Sequence, residues 1–265
     1  MLRRERRLGV GRTVDGVSLF VVVHGAWGGG WEWAAVAGAL RDRGHEVHTP
    51  TLTGLGDRAH LGLGEPIGLS THVTDLVSVL EMEDLEDVLL CGASYGGMPV
   101  TGAADQASDR VARVVYIDAL VPRDGDSALD LLPSGFGAQV RAGLAEHGPA
   151  WRVPLPAPLW EALMPAGEID EGRRMRYRAR VRDHPAASFA EAVRLDGAVD
   201  RIPRAFVRCT GGRLAEAYAD DPIERCAERA RAERWAYREL ETGHDPQVFD
   251  PEGLAACLDA LVAEG

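Results

Sequence analysis

Short apolar runs that end on glycine and give way to segments of helical spacing recur along the chain, and this recurrence limits the fold more than any other feature. SLFVVVHG (18–25) and EDVLLCG (86–92) are dense in β-branched and aliphatic residues. They are too short for buried helices and lack the alternation of a half-solvated strand. Runs of this kind are strands buried on both faces, as in the middle of a parallel sheet. HEVHTP (45–50), RVARVVYID (110–118), PRAFVRCT (203–210) and RWAYREL (234–240) read as further strands. WEWAAVAGALRDRG (31–44), THVTDLVSVLEME (71–83), YGGMPVTGAADQA (95–107), DPIERCAERARA (221–232) and PEGLAACLDALVAE (251–264) read as helices. Gly44 closes the first of them, and Ser70 or Thr71 caps the second. Strands alternating with helices make an α/β protein: a mostly parallel sheet of about six strands with helices on both faces.

The rhythm breaks between Asp118 and Arg201. WRVPLPAPLWEALMPAGE (151–168) is rich in proline and RRMRYRARVRD (173–183) in arginine. A stretch this long is not a plain loop, so it is expected to form an inserted helical cap. The expected organisation is a flexible N-terminal tail (1–17), a core from 18–120 and 200–265, and a cap from 121–199. The basic N-terminus, MLRRERRLGVGRTVDG, leads into no apolar signal core and is read as neither a secretory nor a twin-arginine signal. No apolar run approaches the ~18 residues of a membrane helix.

Charge narrows the partners. A net charge of −12 argues against nucleic acid. Every one of the 29 basic residues is arginine, and asparagine is absent too. Codon bias in a high-GC bacterial genome explains that composition, and it excludes Schiff-base lysine chemistry, a P-loop lysine and N-glycosylation. Cys91, Cys209, Cys226 and Cys257 are widely spaced with no C-x-x-C pair, which suits reduced thiols and a cytoplasmic location. The partner expected is a small-molecule substrate, without nucleic acid or membrane, and a homodimer is compatible with the sequence.

CGASYGG (91–97) places Ser94 between Gly92 and Gly96 where a strand meets a helix. Glycine and serine are common in any turn. G-x-S-x-G in this context is also the strained turn that exposes a nucleophilic serine. HGAWGGGWEW (24–33), after the first strand, offers flexible backbone whose N–H groups could face an oxyanion. A phosphate loop is the rival reading, but the G-x-G-x-x-G spacing is not matched. ETGHDP (241–246) follows the last strand and puts His244 where active sites of α/β sheets collect. His24 is the other candidate base, and its place beside the glycine loop suits a structural hydrogen bond.

Together, VVVHGAWGGGWEW, GHEVHTPTLTGLGDRAHL, DVLLCGASYGGMPVTG and GHD resemble the plant methyl-esterase and hydroxynitrile-lyase branch of the α/β-hydrolases and its bacterial esterase relatives. The resemblance runs from about residue 18 onward and is weakest in the cap. It implies the α/β-hydrolase fold, a triad serine at Ser94, a triad histidine at His244 and oxyanion amides at Ala26 and Tyr95. Ester hydrolysis by such a serine needs no cofactor and no metal. Two departures stand out. The family's acid follows the FVRCT strand, where this chain has Gly211, Gly212 and Arg213. Asp118, at the end of VVYID, is favoured as the replacement over its other reading, a loop cap or a salt-bridge partner. Asp220 and Asp221 lie far down their loop, and Asp245 is a further carboxylate beside the histidine. The lyases' lysine and threonine are replaced by Asp245 and Gly25, which favours ester hydrolysis over cyanohydrin cleavage. Trp27, Trp151, Leu159, Trp160 and Met164, with Leu155 and Leu163, are expected to line a pocket for an apolar or aromatic group. The arginine run from Arg173 to Arg182 is expected to be a solvated helix face. The expected activity is serine ester hydrolysis through an acyl-enzyme. A repurposed lyase, cyclase or elimination enzyme and a non-catalytic binding protein on the same fold remain alternatives.

Overall fold

The protein is described by a computed structural model covering residues 17–212, 214 and 221–263. The expected tail up to residue 16, Arg213 and Asp220 lie outside the described residues. The strands are β1 (Leu19–Val23), β2 (Glu46–His48), β3 (Val88–Ala93), β4 (Val111–Ile117), β5 (Arg152–Val153), β6 (His184–Pro185), β7 (Arg204–Cys209) and β8 (Ala236–Leu240). Six of them form one sheet in the order β2-β1-β3-β4-β7-β8, every pair parallel. The short β5 and β6 pair antiparallel elsewhere.

Period-two geometry sends alternate side chains of each central strand to opposite faces. Val21, Val23, Leu90, Tyr116 and Phe206 join one buried cluster. Phe20, Val22, Leu89, Cys91, Val115 and Val207 join the other. Helices cover both, which is why these runs are apolar without alternation. The first cluster takes in α2 (Leu69–Met82) and α3 (Gly97–Gln106). The second takes in α1 (Ala34–Asp42) and the helix Pro251–Val262.

Two local expectations are corrected. The helix expected from residue 71 begins at Leu69 with Gly68 as N-cap, and neither Ser70 nor Thr71 caps it. Glu191 does the work from a distant segment: the Ser70 N–H donates to its Oε2 at 3.0 Å. The last strand starts at Ala236 rather than Arg234, because Arg234 at φ 58° and Trp235 close a turn onto Arg231 and Ala230.

Between β4 and β7 the chain forms α4 (Ala128–Leu131), α5 (Ser134–His147), α6 (Ala157–Leu163), α7 (Glu171–Arg178) and α8 (Ala186–Ala190), with β5 and β6 among them. Asp105 in α3 holds the returning segment by accepting the Asp196 and Val199 N–H groups at 2.6 and 2.9 Å. The chain runs from β1 to β2 on one side and to β3 on the other. That reversal opens a crevice at the carboxyl ends of β1 and β3, the usual ligand position in such sheets.

Candidate active site

Ser94 follows β3 directly and has φ 52°, a left-handed conformation rare for a residue with a β-carbon. Its glycine neighbours make room for this turn. A Cβ at Gly92 would fall 2.5 Å from the Gly96 carbonyl oxygen, and one at Gly96 2.7 Å from the His24 carbonyl oxygen. The loop after β1 also passes close, since a Cβ at Gly25 would lie 3.1 Å from that of Ser94. The backbone of Ala26 and Tyr95 therefore borders the serine, and both residues line the cavity above it.

His244 comes from the loop after β8. Its Nε2 lies 2.9 Å from Ser94 Oγ, and its Nδ1 lies 2.6 Å from Asp118 Oδ2. The carboxylate accepts the hydrogen bond from Nδ1–H, which leaves Nε2 free to accept from the serine hydroxyl. Asp118 is the residue after β4, at φ 43° and fully buried. Its other oxygen, Oδ1, accepts from Arg208 Nη1 at 2.6 Å and from the Cys209 N–H at 3.0 Å. Arg208 in turn pairs with Asp221 and Glu224. Burial is the largest influence on His244 and lowers its pKa. The hydrogen bond and charge of Asp118, with Asp245 and Asp221, outweigh it, so the net shift is upward from 6.5.

Gly211 and Gly212, where the resembled family carries its acid, press against the same loop. The Gly211 N–H donates to the Thr242 carbonyl at 2.9 Å, and a Cβ at Gly212 would lie 3.8 Å from the His244 amide nitrogen. Asp221 is drawn into the Arg208 network, and Asp245 lines the cavity. His24 has a structural place, fully buried, accepting the Leu52 N–H at Nε2 and donating from Nδ1 to the Gly25 carbonyl.

The cavity over Ser94 encloses about 830 Å³, part of it open to solvent. Trp27, Leu159, Trp160 and Met164 line it, as do Leu155 and Leu163. Trp151 does not. Its ring packs on α5, within 2.2 Å of where a Cβ at Gly143 would lie, and beside His147. Phe136, Phe189 and Tyr177 also line the cavity and were invisible in the sequence, because the cap has no strand–helix rhythm to place them. Of the arginine run, Arg173, Arg176 and Arg178 are exposed as expected. Arg174 is not: it is half-buried, bonded to the Met164 carbonyl and paired with Glu161. Among the described residues no cluster of three or more His, Cys, Asp or Glu could hold a metal ion, and no helix is long and apolar enough to cross a membrane.

A hydroxyl facing an imidazole that is held by a buried carboxylate, with backbone amides alongside, is equipped for attack on a carbonyl. Comparison with known proteins points the same way. The model of the alpha/beta hydrolase family matches residues 20–257. A carbendazim hydrolyzing esterase from Nocardioides sp. (strain SG-4G) is 36% identical over 253 residues, covering 91% of this chain and 98% of that protein. A pyrethroid hydrolase from Sphingobium wenxiniae is 24% identical over 259 residues, covering 91% of this chain and 86% of that protein. Among solved structures, an extracellular alpha/beta-hydrolase from a Paenibacillus species superposes with a TM-score of 0.74 at 22% identity, covering 91% of this chain and 97% of that one. An Arabidopsis methylesterase superposes with a TM-score of 0.70 at 19% identity, covering 93% and 99%. At these identities the two structures speak to the fold alone.

Proposed function

Since this chain belongs to the alpha/beta hydrolase family and is a carboxylic ester hydrolase, we propose that Ser94, His244 and Asp118 carry out its chemistry. Ser94 Oγ attacks the ester carbonyl as His244 Nε2 takes its proton. Asp118 holds the Nδ1–H tautomer and stabilises the imidazolium. The amides of Ala26 and Tyr95 receive the oxyanion. The imidazolium then protonates the departing alcohol, and water activated by His244 releases the acid and restores the serine. The observation that carries this reading is the unbroken line Ser94 Oγ–His244 Nε2 and His244 Nδ1–Asp118 Oδ2, at 2.9 and 2.6 Å.

The substrate class follows from the cavity. Leu159, Trp160, Met164, Phe136 and Phe189 supply an apolar and aromatic lining. The relatives named as carbendazim- and pyrethroid-hydrolysing enzymes support esters of aromatic compounds as the group to try first. The free cysteines fit a cytoplasmic enzyme. The test is a fluorophosphonate probe together with a panel of short and aromatic 4-nitrophenyl esters. Labelling should fall on Ser94 alone, and Ser94→Ala should lower kcat by on the order of 10⁶. Wild-type turnover in that variant would refute the reading.

A further inference from the structure

One side of the apolar cavity is not apolar. Glu32 and Asp245 both line it, and both are partly exposed. Glu32 is folded back onto the glycine loop: its Oε1 lies 2.1 Å from where a Cβ at Gly28 would be, and it accepts from the Gly29 backbone. Tyr177, carried by α7, hydrogen-bonds both Glu32 and Gln247. Gln247 Nε2 donates to Asp245 Oδ1 at 3.1 Å. Glu32, Tyr177 and Asp245 thus form one wall of the cavity, joined through the buried Gln247, and it begins at the residue next to His244.

The wall is short of donors. Two carboxyl groups present about four lone-pair sites each. Against them stand one backbone N–H, one phenol and one amide NH₂. Gln247 Oε1 has no partner although its residue is only 3% exposed, and buried polar groups are ordinarily paired. Among the described residues neither Glu32 nor Asp245 has an arginine partner, in a chain with 29 of them. Burial, helped by the charge of Asp245, lifts the Glu32 pKa well above the usual carboxylate range, and burial lifts Asp245 too. For Asp245 the neighbouring His244 offsets part of this; Glu32 has no positive charge to stabilise its ionised form.

We propose that this wall is a specificity subsite that accepts N–H groups from the substrate, so that the preferred esters carry a cationic, N–H-bearing nitrogen of amine or amidine type in the part that enters the cavity. The proposal rests on the esterase reading for turnover but not for binding. A nitrogen of this type supplies both the missing donors and the missing charge, and the apolar lining takes the ring that bears it.

Two measurements separate the subsite from the chemistry. In the wild-type protein, kcat/KM for 4-nitrophenyl 4-(aminomethyl)benzoate should exceed that for the 4-methylbenzoate by at least roughly tenfold, about the worth of one charge-assisted hydrogen bond. Glu32→Gln and Asp245→Asn should each shrink that ratio. In Ser94→Ala, which needs no turnover, calorimetry should show benzamidine binding more tightly than benzyl alcohol and more tightly as pH rises and Glu32 loses its proton. Adding Glu32→Gln should remove both differences. Benzamidine selectivity without hydrolysis of any ester would uphold the subsite and count against the esterase reading. Equal rates for the two benzoates, with equal binding of benzamidine and benzyl alcohol, would overturn the subsite and leave the esterase reading standing. The wild-type comparisons decide the matter even if a variant fails to fold.

Discussion

Asp118 leaves its strand at a positive φ, buries its carboxylate completely and divides two oxygens among a histidine, an arginine and a backbone amide. A side chain so fully committed sets the behaviour of its partners, and the upward shift of His244 has a kinetic consequence. The general base must be neutral, so the acid limb of kcat/KM should lie above pH 6.5. A limb centred below pH 6 would contradict the assigned surroundings of His244. Ser94 and His244 were legible in the sequence because short local patterns, G-x-S-x-G and GHD after a strand, carry them. Asp118 was legible only by elimination, from a strand that ends on a carboxylate. Arg208, which pairs with Asp118, gave no signal: an arginine alternating along a strand looks like any solvent-facing residue. Glu32 stands inside HGAWGGGWEW, but only the fold turns it back onto Gly28 and into the cavity.

At the scale of elements, the strand–turn–helix unit from β3 to α3 depends on backbone approaching backbone. A Cβ at Gly96 would meet the His24 and Val23 carbonyl oxygens at 2.7 and 2.9 Å, and neither strand end can withdraw without disturbing the sheet. Gly96→Ala should therefore lower stability by about 1–3 kcal/mol, the usual cost of overpacking, and should lower activity by displacing the loop of Ala26 and Trp27. Urea unfolding and ester kinetics on the same preparation check this; a variant with wild-type stability would show that the approach is looser than described. The central strands and their helices were readable because each had to bury a face of fixed period. The cap of α2 was not, because its partner Glu191 is remote in sequence. Trp151 misled for a related reason: an apolar residue between β4 and β7 can face the cavity or pack against a neighbouring helix, and composition does not distinguish the two.

The whole molecule adds a set of buried histidines beneath the site. His24, His72 and His184 are all fully buried. His72 accepts from the Tyr95 hydroxyl at 2.9 Å, and His184 accepts from the Trp27 N–H at 3.4 Å, so they fasten the two residues that flank the proposed oxyanion site. Burial is the main cause that pulls His24 and His72 down to about 4 and His184 well below 6.5. The native state thus binds fewer protons than the unfolded chain, whose histidines titrate near 6.5. Stability should hold above that pH and fall as pH drops from 6.5 towards 4, with a slope near pH 5 of about 4 kcal/mol per pH unit from three protons. His184→Gln should flatten that slope by about one proton's worth in denaturant unfolding followed against pH; an unchanged slope would mean that His184 is protonated in the native state.

The proposed catalysis requires three strand ends, distant in sequence, to work as one unit. The decisive measurement is kcat for an aromatic 4-nitrophenyl ester in Asp118→Asn, with folding verified by thermal unfolding. Arg208 keeps Asp221 and Glu224 as partners in this variant. The expected result is a fall on the order of 10⁴, with part of the rate returning when Gly212→Asp places a carboxylate beside the His244 loop. A folded Asp118→Asn protein within about threefold of wild type, far inside the loss expected of a triad acid, would contradict it.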